Sequence, residues 1–126
     1  MKTSVPNYCG NSPKMQFIAD FNLAYAASDI ASALSFLHED IQWEIIGEQM
    51  MHGHDAVRDF IEKNANLSVI SFELQDVLSH GKLGSACGQL KLSNETIHFA
   101  DFYEFSSHSA KATIKRIKTF ALSSPS

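Results

Sequence analysis

One carboxylic acid lies among aromatic residues in the segment Glu95–Phe105, which reads ETIHFADFYEF. If this segment is a β-strand, its alternation places these residues on one face: Ile97, Phe99, Asp101, Tyr103 and Phe105. This face is the more apolar one, so we expect it to point inward and to carry Asp101 into the interior. An ionised carboxylate is costly to bury unless it is paired, so such groups are usually protonated, hydrogen-bonded or functional. The pattern predicts a pocket that contains Asp101; the alternative is a structural acid that is hydrogen-bonded to a neighbouring strand or helix end.

Helical spacing of apolar residues predicts helices before this strand. Ser12 is expected to cap the first helix, which extends to about Ala27. Asp29 is expected to cap a short second helix, and His54 followed by Asp55 a third. The first two helices are too short to be stable alone, so they must pack against a sheet.

The sheet is predicted from segments with alternating hydrophobicity. In residues 41–46, the side chains of Ile41, Trp43 and Ile45 share one face, and residues 47–53 are expected to form a loop. Four further strands are predicted: Leu67–Ser79, Leu83–Leu92, Glu95–Ser106 and Lys111–Leu122. The expected fold class is therefore α+β, a cone-shaped curved antiparallel sheet wrapped around the N-terminal helices. The interior of such a cone is a natural ligand cavity.

Length and composition indicate one soluble domain. The chain has 126 residues, and we expect a flexible arm at 1–12, the domain at 13–122 and a polar tail at 123–126. A net charge of −4 gives no reason to expect nucleic acid as a partner. No segment approaches the roughly 20 apolar residues of a transmembrane helix, so no membrane partner is expected. Cys9 and Cys87 form no CxxC pair, which favours reduced thiols in the cytoplasm and leaves a disulfide between them as the alternative.

Several motifs together resemble a known superfamily. The segments Phe36–Glu44, Gly53–Phe60, Asp101–Phe105 and Ile114–Ile117 read FLHEDIQWE, GHDAVRDF, DFYEF and IKRI. With the order of elements from residue 13 onward, they resemble the NTF2-like superfamily, especially its SnoaL-like and ketosteroid-isomerase-like branch. The resemblance implies the cone-shaped fold and a homodimer formed through the sheet. It does not imply one activity, because this fold is shared by enzymes, binding proteins and assembly domains.

The resemblance also implies a role for Asp101. In ketosteroid isomerases, the matching position carries an acid that donates a hydrogen bond to a developing oxyanion. The isomerase tyrosine falls on Phe21 here, and the general base falls near Ile45, or on Glu44 if the strand shifts by one residue. Without a base there is no proton shuttle, so isomerase activity is not expected. Asp101 remains the candidate acid or hydrogen-bond donor, with Glu44 or Tyr25 as the second catalytic group.

A ligand in the cavity would contact mainly apolar and aromatic side chains. The candidate ligand-binding residues are Phe21, Tyr25, Trp43, Ile45, Phe60, Phe99, Asp101, Tyr103 and Ile117. Trp43 offers a broad apolar wall and one N–H donor, which suits a pocket floor and an ordinary core equally well. No glycine-rich phosphate loop, paired carboxylates or converging metal ligands are recognisable, so no cofactor and no metal are expected.

The other face of the predicted strand Glu95–Phe105 indicates how the protein could assemble. It carries Ala100 and Phe102 between His98 and Glu104, an apolar patch with a polar rim that is typical of a protein interface. We expect a homodimer through this outer sheet face.

Three functions are compatible with these features. The first is a domain that binds a hydrophobic small molecule in an apolar cavity anchored by Asp101. The second is a SnoaL-like isomerase, lyase or hydrolase that acts on a hydrophobic, ring-containing substrate, and the third is a dimeric assembly module. A second titratable group beside Asp101 would favour the enzyme, a cavity with Asp101 alone would favour binding, and a filled interior would favour assembly.

Overall fold

Three α-helices pack against one seven-stranded sheet in the computed structural model, which describes residues 1–125. The helices are α1 (Pro13–Ala26), α2 (Ile30–Ser35) and α3 (Gly53–Asn64). The strands are β1 (Lys2–Ser4), β2 (Leu37–Ile45), β3 (Gln49–His52), β4 (Ser71–His80), β5 (Leu83–Lys91), β6 (Glu95–Phe105) and β7 (Ile114–Pro125). A short 3-10 helix covers Cys9–Asn11. Among the described residues, no helix is long and apolar enough to cross a lipid bilayer.

The sheet is curved and mixed, with the strand order β1-β4-β5-β6-β7-β2-β3. Strands β4 to β7 form the predicted antiparallel meander, and the α+β fold class is confirmed. The expectation of a purely antiparallel sheet is wrong, because β2 pairs with β7 and β1 pairs with β4 in parallel. Alternation along one strand reports which face is buried and carries no information about the direction of its neighbour.

Two of the three predicted helix caps are confirmed. The hydroxyl of Ser12 accepts a hydrogen bond from the Met15 amide at 3.3 Å, and the Asp29 carboxylate accepts one from the Ser32 amide at 3.3 Å. The third cap is wrong, since α3 begins at Gly53 and the His54 ring lies within the helix. His54 Nε2 donates instead to the carbonyl oxygen of Leu37 at 2.9 Å, which ties α3 to the start of β2.

Described residues on both sides of the expected domain, within the arm expected at 1–12 and the tail expected at 123–126, join the sheet. Residues 2–4 pair in parallel with β4, and the Cys9 side chain is buried. The hydroxyl of Tyr8 accepts a hydrogen bond from the Val77 amide at 3.1 Å. Strand β7 continues through Pro125, which lies opposite Glu95, and Ser126 lies outside the described residues. The expected loop at residues 47–53 also contains a strand, β3, which forms a hairpin with β2.

Two glycines in β5 allow its neighbours to approach closely. A Cβ atom on Gly84 would lie 2.6 Å from the Ile18 side chain in α1. One on Gly88 would lie 2.1 Å from the Glu73 carbonyl oxygen, beside the register shift between Leu74 and Asp76 in β4. The absence of both side chains lets α1 pack closely on the sheet and lets β4 bend, and this brings the helix face that carries Phe21 and Asn22 over β6.

Candidate functional site

A cavity of about 230 Å³ lies between the helices and the inward face of the sheet. Its apolar wall consists of Phe21, Trp43, Ile45, Phe60, Leu67, Phe72, Leu90, Ile97, Phe99 and Ala121. Its polar groups are Asn22, Tyr25, Glu48, Asn64, Asp101 and Thr119. An apolar hollow with a few convergent polar groups is the usual form of a small-molecule site.

Asp101 is the most deeply buried acid of this cavity, with 6% of its surface exposed. Its Oδ2 atom accepts a hydrogen bond from the Tyr103 hydroxyl at 2.7 Å. Its Oδ1 atom accepts one from the Thr119 hydroxyl at 2.6 Å. Short hydrogen bonds of this kind are typical of an ionised acceptor. Asp101 therefore lines the cavity and is also hydrogen-bonded to the neighbouring strand β7.

Two further donors contact the hydroxyl groups that bond to Asp101. The indole Nε1 of Trp43, which can only donate, lies 2.9 Å from the Thr119 hydroxyl oxygen. Asn22 Nδ2 donates to the Tyr103 hydroxyl at 2.9 Å and to the carbonyl oxygen of Ile18 at 2.9 Å. Because a carbonyl oxygen only accepts, the atom that faces it must be the amide nitrogen. Each hydroxyl group thus receives one donor, and because an ionised carboxylate can only accept, both hydroxyls direct their own protons at Asp101 when it is ionised.

Burial changes the acid–base behaviour of this network. Desolvation raises the pKa of Asp101 to about 6, although the hydrogen bonds from Thr119 and Tyr103 oppose the shift. Burial, and next the charge of Asp101, raise the pKa of Tyr25 to about 12. At neutral pH Asp101 is therefore mostly a carboxylate and Tyr25 a protonated hydroxyl.

Aromatic rings form a continuous wall beside the acid. The Trp43 ring lies 5.6 Å from Tyr25, 5.9 Å from Phe60 and 5.9 Å from Phe21, measured between centroids. Tyr25 and Phe60 are stacked at 6.4 Å with an interplanar angle of 11°. These rings come from α1, β2 and α3, so the packing of both helices on the sheet defines this wall.

The sequence-predicted site residues divide into two groups. Those that line the cavity are Phe21, Tyr25, Trp43, Ile45, Phe60, Phe99 and Asp101. Tyr103 and Ile117 do not line it; both are buried, and Tyr103 lies behind Asp101 as a hydrogen-bond donor. Glu44 is also outside the lining, because its neighbours Trp43 and Ile45 occupy the inward face of β2. The second acid of the cavity is Glu48, an exposed residue of the β2–β3 turn.

Sequence reasoning missed two residues of the network. Asn22 lies one helical turn after Ile18 and is buried, so a polar residue on the apolar stripe of α1 was the available signal. Thr119 lies two residues after Ile117 and therefore shares its inward face. Its position opposite Asp101 depends on the pairing of β6 with β7, which has a shift between Glu104 and Phe105.

The outer sheet face carries exposed apolar side chains. Phe102 and Phe120 are 56% and 45% exposed and pack edge to face at 6.2 Å. Leu78, Leu83 and Leu122, in strands β4, β5 and β7, are exposed as well. Arg116 and Glu104 form an ion pair at 3.6 Å next to them. This surface, centred on Phe102 and Phe120, is called the outer patch below.

Metal-binding residues do not gather anywhere in residues 1–125: no group of three or more His, Cys, Asp or Glu side chains is placed to hold an ion. The thiols of Cys9 and Cys87 are free. The cavity offers a ligand its aromatic wall, its amide and hydroxyl groups and its carboxylates.

One protein family matches most of the chain. The family model of the SnoaL-like domain matches residues 18–111, which is well over half of the 126 residues. The chain belongs to the SnoaL-like family. The expected resemblance to the NTF2-like superfamily is confirmed as well. The sequence matches none of the curated proteins.

Solved structures with the same fold have distant sequences. One is an NTF2-like protein of unknown function from Burkholderia xenovorans LB400, with 10% identity, a TM-score of 0.73 and coverage of 91% of this chain and 86% of that one. Another, from Cytophaga hutchinsonii ATCC 33406, has 19% identity, a TM-score of 0.63 and coverage of 85% and 97%. A third is the epoxide hydrolase/cyclase-like enzyme SalBIII of pyran ring formation in salinomycin, with 16% identity, a TM-score of 0.73 and coverage of 87% and 90%. At these identities the similarity concerns the fold alone.

Proposed function

We propose that this protein binds a hydrophobic small molecule in the cavity, with Asp101 as its polar anchor. One observation carries the proposal: a buried, hydrogen-bonded carboxylate opens onto a hollow of about 230 Å³ with aromatic walls. Burial of apolar ligand surface supplies about 25 cal/mol per Å² of driving force, and the Asp101 carboxylate fixes the orientation of the ligand. Membership of the SnoaL-like family is consistent with such a ligand.

A matched pair of variants tests this proposal. Ile45 lines the cavity, while the next residue, Ile46, lies outside it and is 37% exposed. Trp43 is the only tryptophan of the chain and lies in the cavity wall, so its emission reports on the occupant. Titration with 1-adamantanol, a neutral apolar cage, is expected to give saturable binding. Ile45→Phe fills part of the hollow and should weaken binding by at least about tenfold, whereas Ile46→Phe should not. Equal affinity of both variants would contradict the proposed cavity.

A second copy of the chain is the proposed occupant of the outer patch. Phe102 and Phe120 present an apolar centre, and the Arg116–Glu104 pair supplies a polar rim. In this proposal the protein is a homodimer whose two cavities open on the sides remote from the interface. A reducing, cytoplasmic compartment suits the free thiols of Cys9 and Cys87.

Catalysis is a second candidate function, favoured by the raised pKa of Asp101. A carboxylate with a pKa of about 6 is a competent general base near neutral pH. The Tyr25 hydroxyl, held protonated in the same cavity, is a matching donor. In this role the protein would be a SnoaL-like isomerase, lyase or hydrolase acting on a hydrophobic ring-containing substrate. Asp101→Asn would then abolish turnover of such a substrate and leave binding of 1-adamantanol intact.

A further inference from the structure

The charged side chains that line the cavity carry one sign. They are Asp101 and Glu48, and no lysine, arginine or histidine of the described residues is among the lining side chains. The ion pairs present in the described chain join Arg58 to Asp55 and Arg116 to Glu104, so Asp101 has no cationic partner. A buried anion without a counter-ion is costly unless something else compensates it. When Asp101 is ionised, the described residues therefore supply no cation that neutralises its charge in the cavity.

An ionised Asp101 acts only as an acceptor in its hydrogen-bond network. The Trp43 indole and the Asn22 amide donate into the hydroxyls of Thr119 and Tyr103, which in turn donate to Asp101. Neither hydroxyl proton is left for a ligand. An ionised carboxylate has about four acceptor positions, of which two are used here. What remains for a ligand is an acceptor site, which suits an N–H or O–H donor and opposes a carboxylate or a developing oxyanion.

The aromatic wall suits the same kind of ligand. Trp43, Tyr25 and Phe60 lie within 5.6–6.4 Å of one another and line the hollow beside Asp101. The faces of aromatic rings attract cations, most strongly where water is excluded. Anionic lining and aromatic walls together favour a positively charged, apolar ligand over a neutral or anionic ligand of the same shape.

We infer that the ligand of this cavity is a hydrophobic organic amine, bound as an ammonium cation that donates a hydrogen bond to the Asp101 carboxylate. This inference rests on the proposed binding function and names its ligand class. It assigns Asp101 the part of an acceptor and counter-ion. The oxyanion donor of ketosteroid isomerases has the opposite polarity.

Three probes with one apolar body test the inference. They are 1-adamantylamine, 1-adamantanol and adamantane-1-carboxylate, which are a cation, a neutral molecule and an anion near neutral pH. Binding is measured from Trp43 emission at a pH of about 8, where Asp101 is ionised. We expect the amine to bind at least about tenfold more tightly than the alcohol, and the carboxylate to bind most weakly. Asp101→Asn should reduce the affinity for the amine to that for the alcohol. Glu48→Gln removes the other lining acid and should reduce the preference less than Asp101→Asn does, whereas Asp59→Asn, an exposed acid of α3 outside the lining, should leave it unchanged.

The possible outcomes distinguish a failure of the inference from a failure of the proposed binding function. Equal affinities for amine and alcohol would overturn the inference and leave the binding function intact. Absence of binding by all three probes would overturn both. Loss of the preference in Glu48→Gln but not in Asp101→Asn would overturn the assignment to Asp101. If Asp101→Asn does not fold, a crystal structure of the wild-type complex decides, since the amine nitrogen must lie within hydrogen-bond distance of an Asp101 carboxylate oxygen.

Discussion

Asp101 in β6 lies opposite Thr119 in β7 and accepts a hydrogen bond from its hydroxyl group at 2.6 Å. Thr119 is held in turn by the Trp43 indole of β2, so three adjacent strands of the sheet meet at this carboxylate. The side that remains open is the cavity. A carboxylate fixed in this way loses little further freedom when a ligand binds, and this is how a single polar group can orient an otherwise apolar molecule.

Removal of the Thr119 hydroxyl should break two hydrogen bonds, the one from the Trp43 indole and the one to the Asp101 carboxylate. In Thr119→Val, the Trp43 N–H loses its acceptor and Asp101 loses a donor, so we expect a loss of about 1–3 kcal/mol in the free energy of unfolding. The pKa of Asp101 should rise, because this hydrogen bond lowers it. Urea denaturation with Trp43 emission as the signal measures the loss. Thr119→Ser retains the hydroxyl and should lose less; a Val variant as stable as wild type would show that the hydrogen bonds carry no net stability.

Asp101 should make stability depend on pH in a defined direction. Its pKa is raised from 3.8 to about 6 by folding, so the folded state binds more protons between these values. The contribution of Asp101 is therefore most favourable below pH 3.8 and is lost as the pH rises through about 6. The full change is about 3 kcal/mol, since one pKa unit corresponds to about 1.4 kcal/mol.

Paired denaturation curves at several pH values isolate this contribution. The difference in unfolding free energy between wild type and Asp101→Asn should change by about 3 kcal/mol as the pH rises from 3.8 through about 6. At higher pH the difference should stay constant. Asp59 is exposed on α3, so Asp59→Asn should follow the wild-type profile. A difference between wild type and Asp101→Asn that stays constant with pH would mean that the pKa of Asp101 is not shifted by folding.

Gly88 should be intolerant of a side chain. A Cβ atom there would lie 2.1 Å from the Glu73 carbonyl oxygen, so β4 or β5 would have to move. We expect Gly88→Ala to destabilise the fold by about 1–3 kcal/mol or more. A Cβ atom on Gly10 would meet nothing within 4 Å, so Gly10→Ala is the control. Thermal denaturation of the two variants compares them directly, and equal melting temperatures would count against this packing of β4 on β5.

The outer patch should control the oligomeric state. Phe102→Glu places a charge at the centre of the proposed interface and should convert the dimer to a monomer. Ile70, just before β4, is similarly exposed at 52% but lies away from β6 and β7, so Ile70→Glu should leave the dimer intact. Sedimentation equilibrium measures both masses. A wild-type protein that has the monomer mass at every concentration would rule out the proposed interface.

Local patterns predicted the elements better than their mutual arrangement. The caps at Ser12 and Asp29 and the inward face of β6 could be predicted because each depends on residues a few positions apart. The parallel pairing of β2 with β7 and the position of Thr119 opposite Asp101 could not, because they depend on register between strands that are distant in sequence. The aromatic wall, the acid and Tyr103 could therefore be predicted, whereas the hydrogen bond from Thr119 to Asp101 could not.

The protonation of Asp101 tests the central claim most directly. Its carboxyl carbon-13 resonance can be followed against pH by NMR, first without ligand and then with saturating 1-adamantylamine. We expect a midpoint near 6 in the free protein, because the carboxylate is desolvated at the cavity. A lower midpoint is expected with the amine, since an adjacent cation stabilises the ionised form. A midpoint near 3.8 that the amine does not change would contradict the account, because Asp101 would then be neither buried nor in contact with the ligand.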